Sequence, residues 1–272
     1  MNTKLEKLIQ NIYYKFPVIR PIMASFYRKF LVNHTFSGWG MQTVHELPWN
    51  GISEQDFRND CTEIIKTFEF TPNSTGTDKY NIDELMWRHW FIHFSIQYVH
   101  HFTTNTENNF VECGVGDGMT TFFALKEISR RFTNSNFKMY LYDSWDSMKE
   151  EDLAKSEITN IGRYSNLNVE RTKKNLIDFQ NNLIYNVGYI PDSFSASSPD
   201  KIIYLHIDLN STKPTIDALN FFFPRLLEGG IIIFDDYGNT GYPDTKKQID
   251  EFFKNKPGVL MKSPTGQAIF FR

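Results

Sequence analysis

The chain has 272 residues, which is enough for one large domain or for one domain with an appendage. Hydrophobic residues make up 40% of it and charged residues 22%, a composition that excludes fibrous and disordered proteins. Because 29 lysines and arginines stand against 32 aspartates and glutamates, the net charge of -3 supplies no positive field for a nucleic-acid backbone, and we expect no nucleic-acid partner.

Cysteine usage and the apolar runs indicate where the protein works. Cys61 and Cys113 are the two cysteines, and two supply neither a disulfide framework nor a zinc-ligand set. The longest apolar runs fall well short of the ~20 residues that cross a bilayer, and the chain begins MNTKLEKLIQ rather than with an apolar signal segment. The sequence therefore predicts a cytoplasmic protein without a membrane span.

The N-terminal part of the chain is rich in aromatic residues and predicts helices. The pattern favours helices over 3–31, 53–68 and 82–102, the last with Asn81 as its N-cap. The first is basic and aromatic but interrupted by prolines, so we expect it to dock on the rest of the chain or on a second subunit rather than on a membrane. Residues 1–104 are interpreted as a helical extension that covers the active site, with a homo-oligomer formed through this region as one expectation.

Two features of this extension resemble functional sites. A segment rich in glycine, tryptophan and histidine follows the first helix, and such loops often cover active sites, which makes Trp39, His45 and Trp49 candidates for acceptor contact. His89 and His93 stand four residues apart on a predicted helix, the spacing of two metal ligands. Their neighbours are aromatic and no acidic residue lies between them, so we expect core or interface packing instead.

From Asn109 onward, short apolar runs alternate with longer amphipathic ones, as strands and helices do in a parallel sheet. The apolar runs are nearly continuous, as expected of strands that are covered on both faces. Two last apolar runs flank Pro264 to Gly266 and predict an antiparallel hairpin. The fold class is therefore α/β, a doubly wound Rossmann-like sheet over residues 105–272. The predicted strands are 110–114, 137–143, 183–187, 202–209 and 231–236, with helices near 118–132, 166–181, 214–227 and 243–255.

The first predicted strand leads into a glycine-rich turn, Glu112-Cys113-Gly114-Val115-Gly116-Asp117-Gly118, and a helix follows at once. Closely spaced glycines let a ligand approach the amides of a helix N-terminus, although a plain tight turn has the same appearance. The dinucleotide pattern GxGxxG would need a glycine where Met119 stands. Asp143 ends the second strand, where a carboxylate binds ribose hydroxyls in such sheets, so an adenosine ligand is the natural inference. Asp143 could equally cap the next helix, and Asp146 competes for the ribose role.

Acidic residues follow two neighbouring strands near their carboxyl ends. The fourth strand carries His206 and Asp208, and the fifth ends in Asp235 and Asp236. No lysine or arginine lies near these carboxylates in the sequence, so they should repel one another until a proton or a divalent cation relieves them. Hard oxygen ligands favour magnesium, calcium or manganese over zinc. The alternative is an ordinary set of caps and turn residues.

The sequence resembles the macrocin O-methyltransferase (TylF-like) family in five segments, which occur in a consistent order between about residues 109 and 255. These are FVECGVGDGMTT, YLYDSWDSM, YNVGYIPDSF, LHIDLNSTKPTIDALNFFFPRLLEGGIIIFDDYG and TKKQIDEFF. The family comprises class I enzymes that use S-adenosylmethionine and magnesium to methylate sugar hydroxyls on natural-product glycosides. The resemblance implies S-adenosylmethionine and Mg²⁺, or another hard divalent cation, as cofactors. It also implies a small-molecule acceptor, glycosylated or otherwise polyhydroxylated.

The resemblance also assigns roles to particular residues. Asp208, as a magnesium ligand and the general base, would take the acceptor proton. Apart from the resemblance, His206 on the same strand and His45 in the glycine-rich loop are the next candidate bases. Asp235 and Asp236 would complete the metal site. The implied cofactor contacts are Glu112, Gly114, Val115, Gly116, Asp117 and Gly118 for the methionine part, Asp143 for the ribose, and Ser144, Asp192 and Ser193.

Three positions depart from the family pattern. Asn210 replaces a second acidic residue, Thr212 replaces a tyrosine, and Met119 replaces a glycine. A nucleotide-dependent oxidoreductase would use the same sheet, but GxGxxG is missing and the three carboxylates would have no role. A non-catalytic scaffold is the other alternative, which Asn210 keeps open. The leading hypothesis is a metal-assisted O-methyltransferase.

Overall fold

The computed structural model describes residues 47–71, 82–103, 108–133, 136–194, 197–263 and 265–272. The predicted helix over 3–31, together with Trp39, His45 and Asn81, lies outside these residues. Within the described residues, no helix combines the length and apolar character that a membrane crossing requires.

Seven strands form one mixed sheet. They are β1 (Asn108–Cys113), β2 (Phe137–Asp143), β3 (Leu183–Val187), β4 (Ile202–Ile207), β5 (Leu226–Phe234), β6 (Val259–Lys262) and β7 (Ala268–Phe271). The strand order is β3-β2-β1-β4-β5-β7-β6. Strands β1 to β5 are parallel, whereas β7 runs antiparallel to both β5 and β6. The predicted parallel sheet with an antiparallel C-terminal hairpin is confirmed.

Six α-helices accompany the sheet in the described part of the chain. They are α1 (Gln55–Thr67), α2 (Ile82–Phe102), α3 (Met119–Arg131), α4 (Val169–Asn175), α5 (Thr212–Phe222) and α6 (Pro243–Phe253). Short 3-10 helices cover Pro48–Asn50, Ile52–Glu54, Glu150–Asp152, Lys155–Asn160, Ile177–Asn182 and Phe223–Arg225. The bounds of α2, β2 and β3 coincide with those predicted from the sequence.

Two predicted helices end earlier than their apolar patterns suggest. The stretch 166–181 is divided into α4 and a separate 3-10 helix, and Asn168 caps α4 by accepting the Glu170 amide at 2.8 Å. The stretch 214–227 stops as α-helix at Phe222, and a 3-10 turn containing Pro224 follows. Since proline lacks an N–H, it cannot continue the α-helical hydrogen bonds. Strand β5 therefore starts earlier than predicted, at Leu226.

Helices cover both faces of the sheet, and each face has its own apolar core. On one face Phe57 of α1 and Ile92 of α2 pack in the same buried cluster as Phe123 of α3 and Ile231 of β5. On the other face, helices α5 and α6 contribute to the second cluster. The described helices that precede residue 105 thus share a core with the sheet, whereas a domain boundary at that position stays a prediction.

The aromatic residues of this region belong to that core. Trp49 is only 6% exposed, and its ring centroid lies 4.8 Å from that of Trp87 in an edge-on contact. Trp49 is not among the residues that line the cavity described below, and its contact with the acceptor stays a prediction. His89 and His93 are both buried, as predicted. His89 stacks on Phe123, with 4.5 Å between ring centroids.

Candidate active site

A cavity of about 250 Å³ opens at the carboxyl ends of the parallel strands. This is the edge of an open α/β sheet where ligands bind. Among the residues singled out from the sequence, its lining includes Gly114, Val115, Gly116, Asp117, Asp143, Ser144, His206, Asp208, Asp235 and Asp236. The predicted cofactor contacts Glu112, Gly118, Asp192 and Ser193 do not line it.

Each glycine of the turn after β1 has a separate reason to be glycine. A Cβ on Gly114 (φ +87°) would lie 1.8 Å from the carbonyl oxygen of Asp208, because the chain segments after β1 and β4 touch there. A Cβ on Gly116 (φ +55°) would meet nothing within 4 Å. Gly114 therefore serves the fold, whereas Gly116 leaves backbone exposed to the cavity. Gly118 precedes α3, and a Cβ there would press on Leu176 at 3.0 Å.

Asp143 fixes the shape of this glycine turn. Its Oδ2 accepts the amides of Val115 at 2.7 Å and Gly116 at 2.9 Å, and its Oδ1 accepts the amide of Trp145 at 2.7 Å. Burial raises the pKa of Asp143, while the three amide donors act in the opposite direction. Each carboxylate oxygen has two acceptor sites, so the group retains capacity for a ligand. The neighbouring candidate Asp146 also lines the cavity but is exposed.

Asp117 ties the glycine turn to the segment after α1. Its carboxylate accepts the Thr71 amide at 2.6 Å and the Thr71 hydroxyl at 2.7 Å, and Arg171 lies 3.2 Å away. Because Asp117 is 3% exposed and has these partners, its main effect is to hold the turn in place.

The acidic cluster, defined as Asp208, Asp235 and Asp236, is assembled as predicted. One carboxylate oxygen from each lies within 4.8 Å of the others. Burial and the neighbouring carboxylates raise the pKa of Asp208 well above its usual range and that of Asp236 to about 6. The buried Oδ2 of Asp236 has no hydrogen-bond partner among the described residues. Hard oxygen donors that repel one another, one of them unpaired, fit a divalent cation such as Mg²⁺.

Sequence reasoning did not find a cation that lies next to these carboxylates in space although it is 147 residues away from Asp235 in the chain. Arg88 of α2 places Nη1 3.0 Å from Asp235 Oδ2 and Nη2 3.8 Å from Asp236 Oδ1. Its Nη2 also donates to the backbone carbonyl of Asp235 at 2.7 Å. Asp235 Oδ1 accepts Gln267 Nε2 at 2.9 Å. A single arginine in the aromatic run MWRHWF was the signal that could have indicated a buried partner.

Asn210, one of the departures from the family pattern, positions Asp208. Its Nδ2 donates to Asp208 Oδ1 at 2.9 Å, and its Oδ1 accepts the Tyr242 hydroxyl at 2.8 Å. The residue has φ +52°, a left-handed conformation that asparagine tolerates. A neutral amide at this position therefore orients Asp208 without adding a fourth negative charge.

Thr212, another departure from the family pattern, donates hydrogen bonds to a buried glutamate that caps helix α5. Its amide donates to both carboxylate oxygens of the buried Glu157 at 3.1 Å, and its hydroxyl donates to the same carboxylate. Thr212 begins α5, so Glu157 satisfies the start of that helix and places a negative charge at its positive end.

Buried polar groups lie beneath the acidic cluster. Glu112 accepts the Thr121 hydroxyl at 2.5 Å, and its Oε1 lies 3.3 Å from His206 Nδ1, without hydrogen-bond geometry. Neither ring nitrogen of His206 or of His89 has a hydrogen-bond partner within the described ranges. Both histidines line the cavity, and burial lowers the pKa of His89 to about 3, so its imidazole is neutral.

The cavity is also lined by a long segment of which sequence reasoning singled out only Ser144 and Asp146. It is residues 144–168, hereafter the roof segment, which connects β2 to α4. Backbone hydrogen bonds of 2.9 Å join Met148 to Arg163 and Gly162 to Met148. Met148, Tyr164 and Leu167 of this segment line the cavity. Its length and lack of periodicity were the available signal, since long connections in compact domains are often functional.

The sheet order and the cavity at its carboxyl edge define the Rossmann-like fold of methyltransferases. The Macrocin-O-methyltransferase (TylF) family profile matches residues 28–265, and the chain belongs to this family. The protein is therefore an S-adenosylmethionine-dependent O-methyltransferase. No curated protein matches the sequence significantly.

Solved structures of similar fold include two O-methyltransferases. The O-methyltransferase NovP has a TM-score of 0.60 at 17% identity, with 77% of this chain and 87% of NovP covered. The calicheamicin methyltransferase CalS11 has a TM-score of 0.58 at 17% identity, with 86% of this chain and 98% of CalS11 covered. An apo structure of CalS11, described as a TDP-rhamnose 3'-O-methyltransferase, has a TM-score of 0.52 at 15% identity, covering 84% of this chain and 96% of that one. Likeness at this level of identity supports the fold.

Proposed function

We propose that the protein methylates a hydroxyl of a sugar, a glycoside or another polyhydroxylated small molecule, with Mg²⁺ or another hard divalent cation bound by the acidic cluster. The observation that carries the proposal is that one cavity contains both the glycine turn with Asp143 and the three carboxylates. Membership of the macrocin O-methyltransferase family supports a sugar-like acceptor, as does the likeness to CalS11, described as acting on TDP-rhamnose.

The cofactor would occupy the side of the cavity beside the glycine turn. The space next to Gly116 admits a ligand to the backbone, and Asp143 and Ser144 line the wall where the ribose would lie. Gly114, Val115 and Asp117 shape this wall. The other four predicted contacts, which do not line the cavity, would act indirectly through the fold.

The acceptor hydroxyl would lie between the cofactor and the acidic cluster. An alcohol is a poor nucleophile at neutral pH, so a base must take its proton as the methyl group transfers. Asp208 is our candidate for this base, because it lines the cavity and Asn210 fixes its orientation. A divalent cation held by the three carboxylates would lower the pKa of the acceptor hydroxyl. The rest of the cavity aligns the two substrates and excludes water.

His206 has a secondary role in this scheme. It lies next to Glu112 across β4 and β1, with 1% exposure. It remains the alternative base if Asp208 serves the metal alone. Family membership and the assembled carboxylates argue against the oxidoreductase and scaffold hypotheses.

Binding assays with purified protein test the proposal before an acceptor is known. Thermal shift and calorimetry should detect S-adenosylmethionine and S-adenosylhomocysteine but not NAD or NADP, each with and without Mg²⁺. Candidate glycosides are then screened by mass spectrometry for a gain of one methyl group, with EDTA as the metal control. Micromolar NAD binding without any response to the sulfur compounds would contradict the cofactor assignment, and full activity in EDTA would contradict the metal.

A further inference from the structure

Arg88 is the cation closest to the acidic cluster among the described residues. Unlike the three carboxylates, it does not lie at the end of a strand. It belongs to α2, and its side chain is 28% exposed at the cavity wall. The Nη1 and Nη2 atoms face Asp235 and Asp236, while the buried Nε has no hydrogen-bond partner in the described part of the chain. The three carboxylates of the acidic cluster therefore have one guanidinium beside them.

The guanidinium has two kinds of contact with Asp235. The bond from Nη2 to the backbone carbonyl, at 2.7 Å, does not depend on the charge of the carboxylate. The contact from Nη1 to Oδ2, at 3.0 Å, is an ion pair. The first anchors Arg88 in place, and the second occupies one of the two carboxylate oxygens that Asp235 could offer to a metal ion.

Both oxygens of Asp235 are already in use. Oδ1 accepts Gln267 Nε2 at 2.9 Å, and Oδ2 pairs with Arg88. In contrast, Asp236 Oδ2 is buried and finds no hydrogen-bond partner in the residues that the structure describes. A cation that takes one oxygen from each of the three carboxylates must therefore share an Asp235 oxygen with a donor that is already bound there, or displace that donor. A guanidinium a few ångströms from a divalent ion is also repelled by it.

We propose that Arg88 is a built-in counter-ion of the acidic cluster that competes with the divalent cation for Asp235 Oδ2 and so weakens the metal site. Without a metal ion, Arg88 limits the repulsion among the carboxylates. When a cation binds, Arg88 leaves Oδ2 while its bond to the Asp235 carbonyl persists. This inference rests on the metal site of the proposed function. It makes Arg88 a positioning residue, because Arg88 sets the concentration of divalent cation at which the acidic cluster is occupied.

The test measures Mn²⁺ binding by calorimetry on the full chain, without cofactor or acceptor. Arg88→Gln should bind Mn²⁺ at least tenfold more tightly than the wild-type protein. Arg88→Lys keeps the charge and should stay within threefold of the wild type. Arg130→Gln is a matched control, because Arg130 also pairs with a buried aspartate, Asp60, at 2.6 Å, but outside the cavity lining. It should leave the Mn²⁺ affinity unchanged.

A second readout separates competition from a general folding defect. In EDTA, Arg88→Gln should melt at a lower temperature than the wild type, and Mn²⁺ should raise its melting temperature by more than it raises that of the wild type. An Arg88→Gln protein that binds Mn²⁺ no more tightly than the wild type would overturn the inference. If neither protein binds Mn²⁺, the metal site of the proposed function fails, and this inference falls with it.

A third measurement does not depend on a variant that folds. Crystals of the wild-type protein soaked in Mn²⁺ would locate the ion by anomalous scattering. Arg88 Nη1 should then have left Asp235 Oδ2, with the contact to the Asp235 carbonyl retained. An ion bound at the cluster with the Arg88 to Oδ2 contact still in place would overturn the proposal.

Discussion

The two halves of the cavity differ in how well their polar groups are paired. In the glycine-turn half, Asp143 accepts three backbone amides, and Asp117 has Thr71 and Arg171 as partners. In the acidic half, one oxygen of Asp236 and all ring nitrogens of His89 and His206 have no hydrogen-bond partner among the residues described.

This difference separates a part of the site that is formed by folding from a part that awaits its ligands. A fully paired network rigidifies a turn and holds a binding surface in shape before any ligand arrives. Buried polar groups without partners cost stability, and such groups concentrate where chemistry takes place.

The largest effect on stability is expected from Gly114→Ala. Its Cβ would overlap the Asp208 carbonyl at 1.8 Å, and φ is +87°, so we expect a loss of about 3 kcal/mol or more in the free energy of unfolding. Gly116→Ala has the same change of residue but an open site, and should cost only about 1 kcal/mol. Urea unfolding monitored by circular dichroism measures both. Equal losses in the free energy of unfolding would show that the fold does not require Gly114 more than it requires Gly116.

The next largest effect concerns turnover. Asp208→Asn keeps the size of the side chain but removes the proton acceptor, so kcat should fall by about 100-fold or more on a confirmed acceptor. Asp236→Asn should recover in part with added Mg²⁺, because a loss of affinity yields to concentration whereas a missing base does not. The exposed Asp178→Asn serves as the control. Full activity of Asp208→Asn would transfer the role of base to His206.

A smaller effect is expected on cofactor binding. Asp143→Ala should weaken S-adenosylhomocysteine binding by about 1 to 3 kcal/mol, because ribose hydrogen bonds are lost and the turn loses an acceptor for three amides. Asp146→Ala, at an exposed position of the same wall, should change the affinity little. Calorimetry measures the affinity of both variants. A larger loss of affinity in Asp146→Ala than in Asp143→Ala would assign the ribose to Asp146.

The smallest effect is a pH dependence in the acidic half. Burial lowers the pKa of His89 from 6.5 to about 3, so the unfolded chain takes up a proton below pH 6.5 that the folded protein refuses. His89 therefore reduces the free energy of unfolding as the pH falls, by about 2 kcal/mol between pH 7 and pH 5. His89→Phe should lose less stability over this range in urea titrations. Identical slopes for the two proteins would mean that His89 can be protonated in the folded state.

The raised pKa of Asp236 acts in the opposite direction over part of this window. Its folded value of about 6 exceeds the usual 3.8, so the folded protein binds that proton first and gains stability as the pH falls from 6 to 4. The comparison of His89→Phe with the wild type keeps this contribution constant. The difference between the two slopes therefore belongs to the histidine.

Local sequence determined much of the fold. Apolar runs predicted β2 and β3 with the correct bounds, although neither strand is buried throughout, since Lys138 of β2 and Val187 of β3 are exposed. The helix predicted over 214–227 overran because apolar residues continue past Phe222 into β5. Periodicity does not separate a buried helix end from a buried strand start, and Pro224 was the only mark of the change.

The site was predictable only where its residues follow strand ends. Asp143, Asp208, Asp235 and Asp236 follow this rule of topology, and the structure brings all four to one cavity. Arg88 and the roof segment reach the cavity from other elements through tertiary packing. Charge patterns along the chain do not record such long-range contacts, and the distance from Arg88 to Asp235 in sequence is 147 residues.

The Glu157 cap limits how the enzyme can be diversified or re-engineered. Glu157 belongs to the roof segment but supports the first turn of α5, a different element of the fold. Consider a chimera whose roof segment comes from a relative with another acceptor. That segment would have to retain a carboxylate at the position of Glu157, because α5 would otherwise lose its cap. An exchange of acceptor preference is therefore expected to be simplest on the stretch that ends before Glu157, where Lys149 and Glu151 are exposed and Lys149 lines the cavity.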